Sequence, residues 1–210
     1  MLRLFYSPGA CSLVPHVALE EAGAGFEAVR RSIAEKAHRR PEYLAINPRG
    51  LIPAMAADGR VVTENIAILA YIGHRWPESG QLPQGDLPAL ARIFELLSYF
   101  ATTVHYGGFG PIYRARAAGI ERPEADIAAD RDRLRGLFGE LDALLAPGPW
   151  LLGDRYSLAD PYPLTFLRWA RRLDLDVAPY RCWTEHARRM VERPAVRRVL
   201  AREGLDPSEF

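Results

Sequence analysis

The spacing of apolar positions changes character near residue 76, and the change divides the chain in two. Before it, short strand-like runs alternate with helical stretches. Leu2 to Tyr6 predicts a strand, and Leu13 to Ala22 a helix closed by Gly23, a residue suited to the left-handed position after a helix. Pro15 fits only the first turn of that helix, where a missing N–H costs nothing. Phe26 to Ser32 has strand character, and Pro41 to Ile46 predicts a short helix ended by Asn47-Pro48. Ile52 to Ala57 and Arg60 to Thr63 flank Asp58-Gly59, a two-residue hairpin signal. A nearly all-apolar helix follows from Glu64 to about His74. The order βαβ, short helix, ββα predicts a small mixed sheet with helices against it.

Trp76 to Pro88 carries Pro77, Pro83, Pro88, Gly80 and Gly85, and reads as a linker. Strand signals then vanish. Ala89 to Thr103 is helical, and Glu124 to Leu145 sets Ile127, Leu134, Leu137, Phe138, Leu141, Leu144 and Leu145 on one stripe. Further helices are predicted from near Ser157, over Tyr180 to Glu192, and over Pro194 to Glu203. The expected division is an α/β domain over 1–76, a linker over 77–87 and an all-α domain over 88–210. No apolar stretch reads as long enough to span a bilayer, which takes roughly 18–20 residues.

Composition narrows the function. The chain has 210 residues, 49% hydrophobic and 25% charged, with a formal net charge of +1. That balance gives no electrostatic case for nucleic acid or membrane. Only two cysteines occur, so no disulfide framework is expected and a reducing, cytoplasmic setting is. No metal site is predicted.

Three segments of the first domain carry candidate chemistry. The first is the turn Tyr6-Ser7-Pro8-Gly9-Ala10-Cys11-Ser12, between the first strand and the first helix. A thiol there meets the positive end of a helix dipole, which favours its own thiolate or that of a bound thiol. The turn reads equally well as a buried cysteine beside a serine N-cap. The second is Asn47-Pro48-Arg49-Gly50-Leu51-Ile52-Pro53. A cis Ile52-Pro53 bond would turn the Ile52 backbone outward to an extended peptide-like ligand, whereas a trans proline would simply open an edge strand. The third is Thr63-Glu64-Asn65 at a helix start, either plain capping or a grip on an amino-acid head group.

Together with Leu151-Leu152-Gly153-Asp154-Arg155-Tyr156-Ser157-Leu158-Ala159-Asp160, these segments resemble the cytosolic glutathione S-transferases, in particular the bacterial beta-like group that carries a cysteine. The resemblance covers essentially the whole chain. It implies an α/β thioredoxin-like N-terminal domain (βαβ–α–ββα), an all-α C-terminal domain, and glutathione as co-substrate. It places Cys11 beside the glutathione sulfur, with Ser12 as an alternative donor to that sulfur and Tyr6 within reach. Ile52, following Leu51, pairs with the cysteinyl part, and Pro53 is the cis proline. Glu64 and Asn65 bind the γ-glutamyl end, and Lys36 is the candidate for the glycine carboxylate. His105 matches a histidine that approaches the site. Ser157 and Asp160 form a capping box that serves folding.

Two positions depart from the pattern. Asn65 stands where the family usually has serine, and Tyr106 follows His105 where beta-like members commonly have lysine. Tyr106-Gly107-Gly108-Phe109-Gly110-Pro111 is expected to loosen or break its helix, either widening a pocket or merely kinking. His16, His74 and His186 read as surface or structural residues, and Cys182 as an inert core cysteine.

The implied activity is attack of a glutathione thiolate on a small apolar electrophile, in a homodimer with a detoxification role. Lowering a thiol pKa by about two units requires roughly 2.7 kcal/mol, within reach of a helix terminus and one or two donors. Two rivals stand beside it: monothiol–disulfide exchange through Cys11, and a non-catalytic interaction module.

Overall fold

The computed structural model describes all residues, 1–210. The sheet has four strands, β1 (Arg3–Tyr6), β2 (Glu27–Arg30), β3 (Ala54–Ala57) and β4 (Arg60–Thr63), in the order β2-β1-β3-β4. β1 and β2 are parallel, joined through α1 (Leu13–Glu21). β3 runs antiparallel to β1 and pairs with β4 in a hairpin. Asp58 and Gly59 at its tip both have positive φ, 50° and 74°, the conformation that lets a two-residue loop follow the strand twist.

Strand alternation sorts the side chains to two faces. Leu4 and Met55 join Leu13, Val14, Val17, Ile68, Leu69 and Ile72 of α1 and α3 (Asn65–Arg75) in the main core. Phe5 and Ala54 point the other way, into a small cluster with Ile52 and with Tyr43 of α2 (Pro41–Leu44). α1 ends as predicted at Gly23 (φ 63°). The Gly23 N–H donates to Glu20 and the Ala24 N–H to Leu19, the paired bonds of a Schellman cap.

The segment predicted as a linker is firmly held. Gln81 Nε2 donates to the Ala18 carbonyl at 3.0 Å, its own carbonyl accepts from Leu158 N–H at 3.0 Å, and Leu82 is buried against Gly73. A Cβ on Gly73 would stand 2.7 Å from Leu82.

The helical part begins with α4 (Leu87–Tyr99), N-capped by Asp86, whose carboxylate accepts from Ala89 N–H at 3.0 Å. The helix neither ends near Thr103 nor breaks at the glycines. It continues as a π-helical segment, Phe100–Phe109, and then as α5 (Gly110–Ala118). Gly110 N–H donates to His105 C=O, five residues back. Pro111 has no N–H to offer the next carbonyl, Tyr106, which instead accepts from Arg114 Nη1 at 3.4 Å. Gly108 permits the close approach of α6 (Glu124–Leu145), since a Cβ there would lie 2.8 Å from Leu137.

The continuous run Leu87–Ala118 is, contrary to the sequence expectation, long and apolar enough by length and composition to cross a bilayer. The pattern hid it because Gly107 to Pro111 reads as an interruption. Here it packs against α6 and α7 (Pro161–Arg171).

α7 is buried along almost its whole length and is flanked by α8 (Arg181–Glu192). α9 (Pro194–Glu203) lies against α1. The predicted start near Ser157 is a turn, and regular helix begins at Pro161. Asp160 Oδ2 nevertheless accepts from Ser157 N–H at 2.7 Å and from its hydroxyl at 2.9 Å. One hydrophobic core of 44 buried residues runs through both parts of the chain. His16 and His186 are fully buried, so of the three structural histidines only His74 lies at the surface. Cys182 is half-buried at the edge of the core.

Candidate active site

The opening turn is built from its own backbone outward. Ala10 N–H donates to Ser7 C=O at 3.1 Å and Leu13 N–H to Ala10 C=O at 2.9 Å, turning the chain from β1 into α1. Ser12 is buried and closes a ring with Ser7: it accepts from Ser7 N–H and donates to Ser7 C=O, both at 3.1 Å. Its hydroxyl proton is thus committed within the turn. Donation from Ser12 to a ligand sulfur would require that proton to leave the Ser7 carbonyl, and Ser12 makes no side-chain N-cap bond.

Cys11 faces the second segment, its Sγ 3.5 Å from the Ile52 carbonyl. The Ile52–Pro53 peptide is cis. The Leu51 carbonyl is fixed from two sides, by Tyr43 OH at 2.6 Å and Asn47 Nδ2 at 2.9 Å. Gly50 (φ 59°) makes the turn before it, where a Cβ would approach Arg39, Leu44 and the His38 carbonyl within about 3 Å. Burial pushes the Cys11 thiol up to about 12; its own backbone N–H pulls the other way, by more than the Glu64 charge adds, and the Ser12 N–H lowers it further. The helix-terminus argument for a Cys11 thiolate therefore fails here: desolvation outweighs the dipole, and the thiol stays protonated at neutral pH.

The third segment meets the turn at Asn65, the first residue of α3. Asn65 Nδ2 donates to the Cys11 carbonyl at 3.0 Å and to the Tyr162 hydroxyl at 2.9 Å, and its Oδ1 is buried without a partner. Both side-chain N–H groups hold the turn, so a grip of the Asn65 amide on a head group would compete with these two bonds. What the helix start still offers is its first-turn backbone N–H groups. Glu64 precedes them with φ 70° and an exposed carboxylate, 3.1 Å from Arg49 Nη1. Lys36, the only lysine, is exposed at φ 53° and makes no ion pair.

Tyr6 lies elsewhere. Its ring packs 5.0 Å from His16 in the seam between α1 and α9, and burial raises its pKa, with the Glu203 charge adding to the shift.

His105 sits in the π-helical segment with its ring 4.8 Å from Trp169, edge to face. Burial lowers its pKa to about 4, and Arg114 acts in the same direction, so the imidazole is neutral at pH 7. Phe109 and Tyr113 close the same aromatic wall, with centroids 5.3 and 5.5 Å from Trp169.

Sequence reasoning missed the residues that hold the turn from the helical domain. Trp169 Nε1 donates to the Gly9 carbonyl at 2.8 Å, and Arg168 Nη1 donates to it at 3.3 Å. Glu203 Oε2 accepts from Gly9 N–H at 2.8 Å. Gly9 has φ 66°, and a Cβ there would run into the Arg168 guanidinium. These partners lie 159 to 194 positions away, and no local motif marks them.

The residues matching known family models cover most of the chain: 1–74 match the glutathione S-transferase N-terminal domain and 76–194 the C-terminal domain. Glutathione S-transferase GstA of Escherichia coli O157:H7 is 34% identical over 206 residues, 97% of this chain and 100% of that one. A glutathione transferase structure from Methylococcus capsulatus superposes with a TM-score of 0.87 at 36% identity, covering 97% and 99% of the two chains. A sphingomonad glutathione S-transferase complexed with glutathione gives 0.85 at 36% identity, covering 97% and 100%.

Proposed function

This chain belongs to the glutathione S-transferase family, and we propose that it binds glutathione against the opening turn and promotes attack of its thiolate on a small apolar electrophile. In this reading the cysteinyl part pairs with the Ile52 backbone beside Leu51 and Pro53. The γ-glutamyl carboxylate takes the first-turn amides of α3 at Asn65, Glu64 meets the ammonium in place of Arg49, and Lys36 meets the glycine carboxylate. The electrophile lies against His105 and the aromatic wall around Trp169.

The observation that carries the reading is the state of Cys11. A thiol with a pKa of about 12 that donates to Ile52 C=O is a poor nucleophile, so the reacting sulfur is the ligand's. The same observation weighs against disulfide exchange initiated by Cys11. The neutral imidazole of His105 is available to accept or donate one hydrogen bond near the reacting atoms.

A homodimer belongs to this reading, and Leu87 and Tyr106 are the large apolar side chains that the Leu87–Ala118 run leaves exposed for it. A cytoplasmic detoxification role agrees with two unpaired cysteines. Calorimetric titration with glutathione, and conjugation of an activated aryl chloride by wild type and Cys11→Ala, test the proposal. Binding with conjugation retained in the variant is expected. Absence of binding at millimolar glutathione sinks it.

A further inference from the structure

The two ends of the Gly9 peptide are held from the other domain by different elements. α7 takes the carbonyl through Trp169 and Arg168. α9 takes the amide through Glu203. Glu203 is itself fixed: its Oε1 accepts from His16 Nδ1 at 2.7 Å, and both side chains are completely buried. His16 Nε2 faces Arg202 Nη1 at 3.4 Å, which sets the ring with its proton on Nδ1. One carboxylate therefore ties α9 to α1 and, with its second oxygen, holds the turn two residues before Cys11.

This is an expensive way merely to join two helices. A buried carboxylate carries a desolvation cost that a well-packed apolar pair does not. The α1–α9 seam already has other ion pairs, Glu20 with Arg198 and Arg202, and Glu21 with Arg193. All of those keep at least one partner in contact with water, and only the carboxylate on the Gly9 amide, with its histidine partner, is wholly buried. Gly9 is also the residue whose left-handed conformation fixes the direction of the turn.

We propose that Glu203 is a positioning residue for the thiol site: its carboxylate fixes the Gly9 amide and so sets the turn that presents Cys11 to the Ile52 carbonyl and to the bound thiol. The proposal deepens the glutathione reading and rests on it for its kinetic consequence. Its structural consequence stands without any ligand.

Four proteins test it: wild type, Glu203→Ala, Glu203→Gln and Arg198→Ala. In Glu203→Ala, the KM for glutathione rises about tenfold, equivalent to about 1.4 kcal/mol, and Cys11 is alkylated by iodoacetamide at least tenfold faster. Glu203→Gln keeps one oxygen for the Gly9 amide, its NH2 turning to His16, whose ring takes the other tautomer, and returns both values to within threefold of wild type. Arg198→Ala weakens the same seam without touching Gly9. It lowers the melting temperature at most, and leaves KM and alkylation alone.

A Glu203→Ala protein that is less stable but has wild-type KM and wild-type Cys11 alkylation overturns the proposal, as does an Arg198→Ala protein that reproduces its changes. Should Glu203→Ala not fold, amide hydrogen exchange of the wild-type protein decides: Gly9 is expected to be protected at least a hundredfold, and protection below tenfold overturns the proposal. The exchange and alkylation measurements use no glutathione. If wild type binds no glutathione, the functional reading fails while these two still judge Glu203.

Discussion

A Cys11 thiol with a pKa of about 12 makes a quantitative prediction about its chemistry. At about pH 7.5 a free cysteine with pKa near 8.5 is roughly 10% thiolate. Cys11 is expected to be thiolate in only about 3 molecules in 100,000, some 3,000-fold less. The more basic thiolate is intrinsically more nucleophilic, with a Brønsted slope of about 0.4–0.5, which returns roughly 40-fold over this pKa difference. The net expectation is alkylation slower than that of a small free thiol by on the order of a hundredfold, before any steric slowing. The assay is iodoacetamide labelling followed by mass spectrometry of the Cys11 peptide, over a range of pH. The rate should climb about tenfold per pH unit up to at least pH 10. The linkage sign follows from the raised pKa. The neutral thiol is favoured in the folded state, so its contribution to stability is full below the unfolded value near 9 and is lost as pH rises toward 12, by about 1.4 kcal/mol per unit. Labelling at the free-thiol rate at neutral pH, or a plateau near pH 8, would refute the reasoning that desolvation dominates at this helix start.

Further consequences follow from the same contacts. Gly9→Ala must place a Cβ in the Arg168 guanidinium at positive φ, and about 2–5 kcal/mol of destabilisation is expected from strain and overpacking together; a urea midpoint close to wild type would contradict this. Asn65→Ala leaves the Cys11 carbonyl and the Tyr162 hydroxyl without their donor while removing an unpartnered Oδ1, so a net loss of about 1–3 kcal/mol and weaker glutathione binding are expected, checked by denaturation and calorimetry. His105 should titrate near pH 4 by NMR, and Arg114→Ala should shift it upward, since that guanidinium repels the imidazolium. Conjugation in wild type should accordingly show no ionisation of His105 between pH 6 and 8; a His105 resonance moving through that range would count against it.

How much of this was legible beforehand depends on whether the governing interaction is local. The Asp58-Gly59 hairpin, the Gly23 helix end and the Ser157–Asp160 pair follow from conformational preferences of a few adjacent residues, and they appear where the pattern put them. Asn47, Gly50 and Leu51 likewise shape their own loop. The π-helical segment was half legible. The glycines and Pro111 announced a disturbance, but not that packing of Gly108 on Leu137 would carry the helix through it. The chemistry of the turn was least legible, because it is decided by what closes over it. A helix start alone argues for a Cys11 thiolate; a helix start buried beneath Ile52, Asn65 and Tyr162 argues for a thiol. Ser12 and Asn65 have the right donors for a ligand in sequence, yet in the fold both sets are consumed in shaping the turn. Their commitment has a functional logic. A turn whose side-chain donors are already satisfied is held in place before a ligand arrives, so on the proposed reading the Ile52 backbone and the first-turn amides of α3 would meet glutathione with little reorganisation, while Glu64 would exchange Arg49 for the ligand.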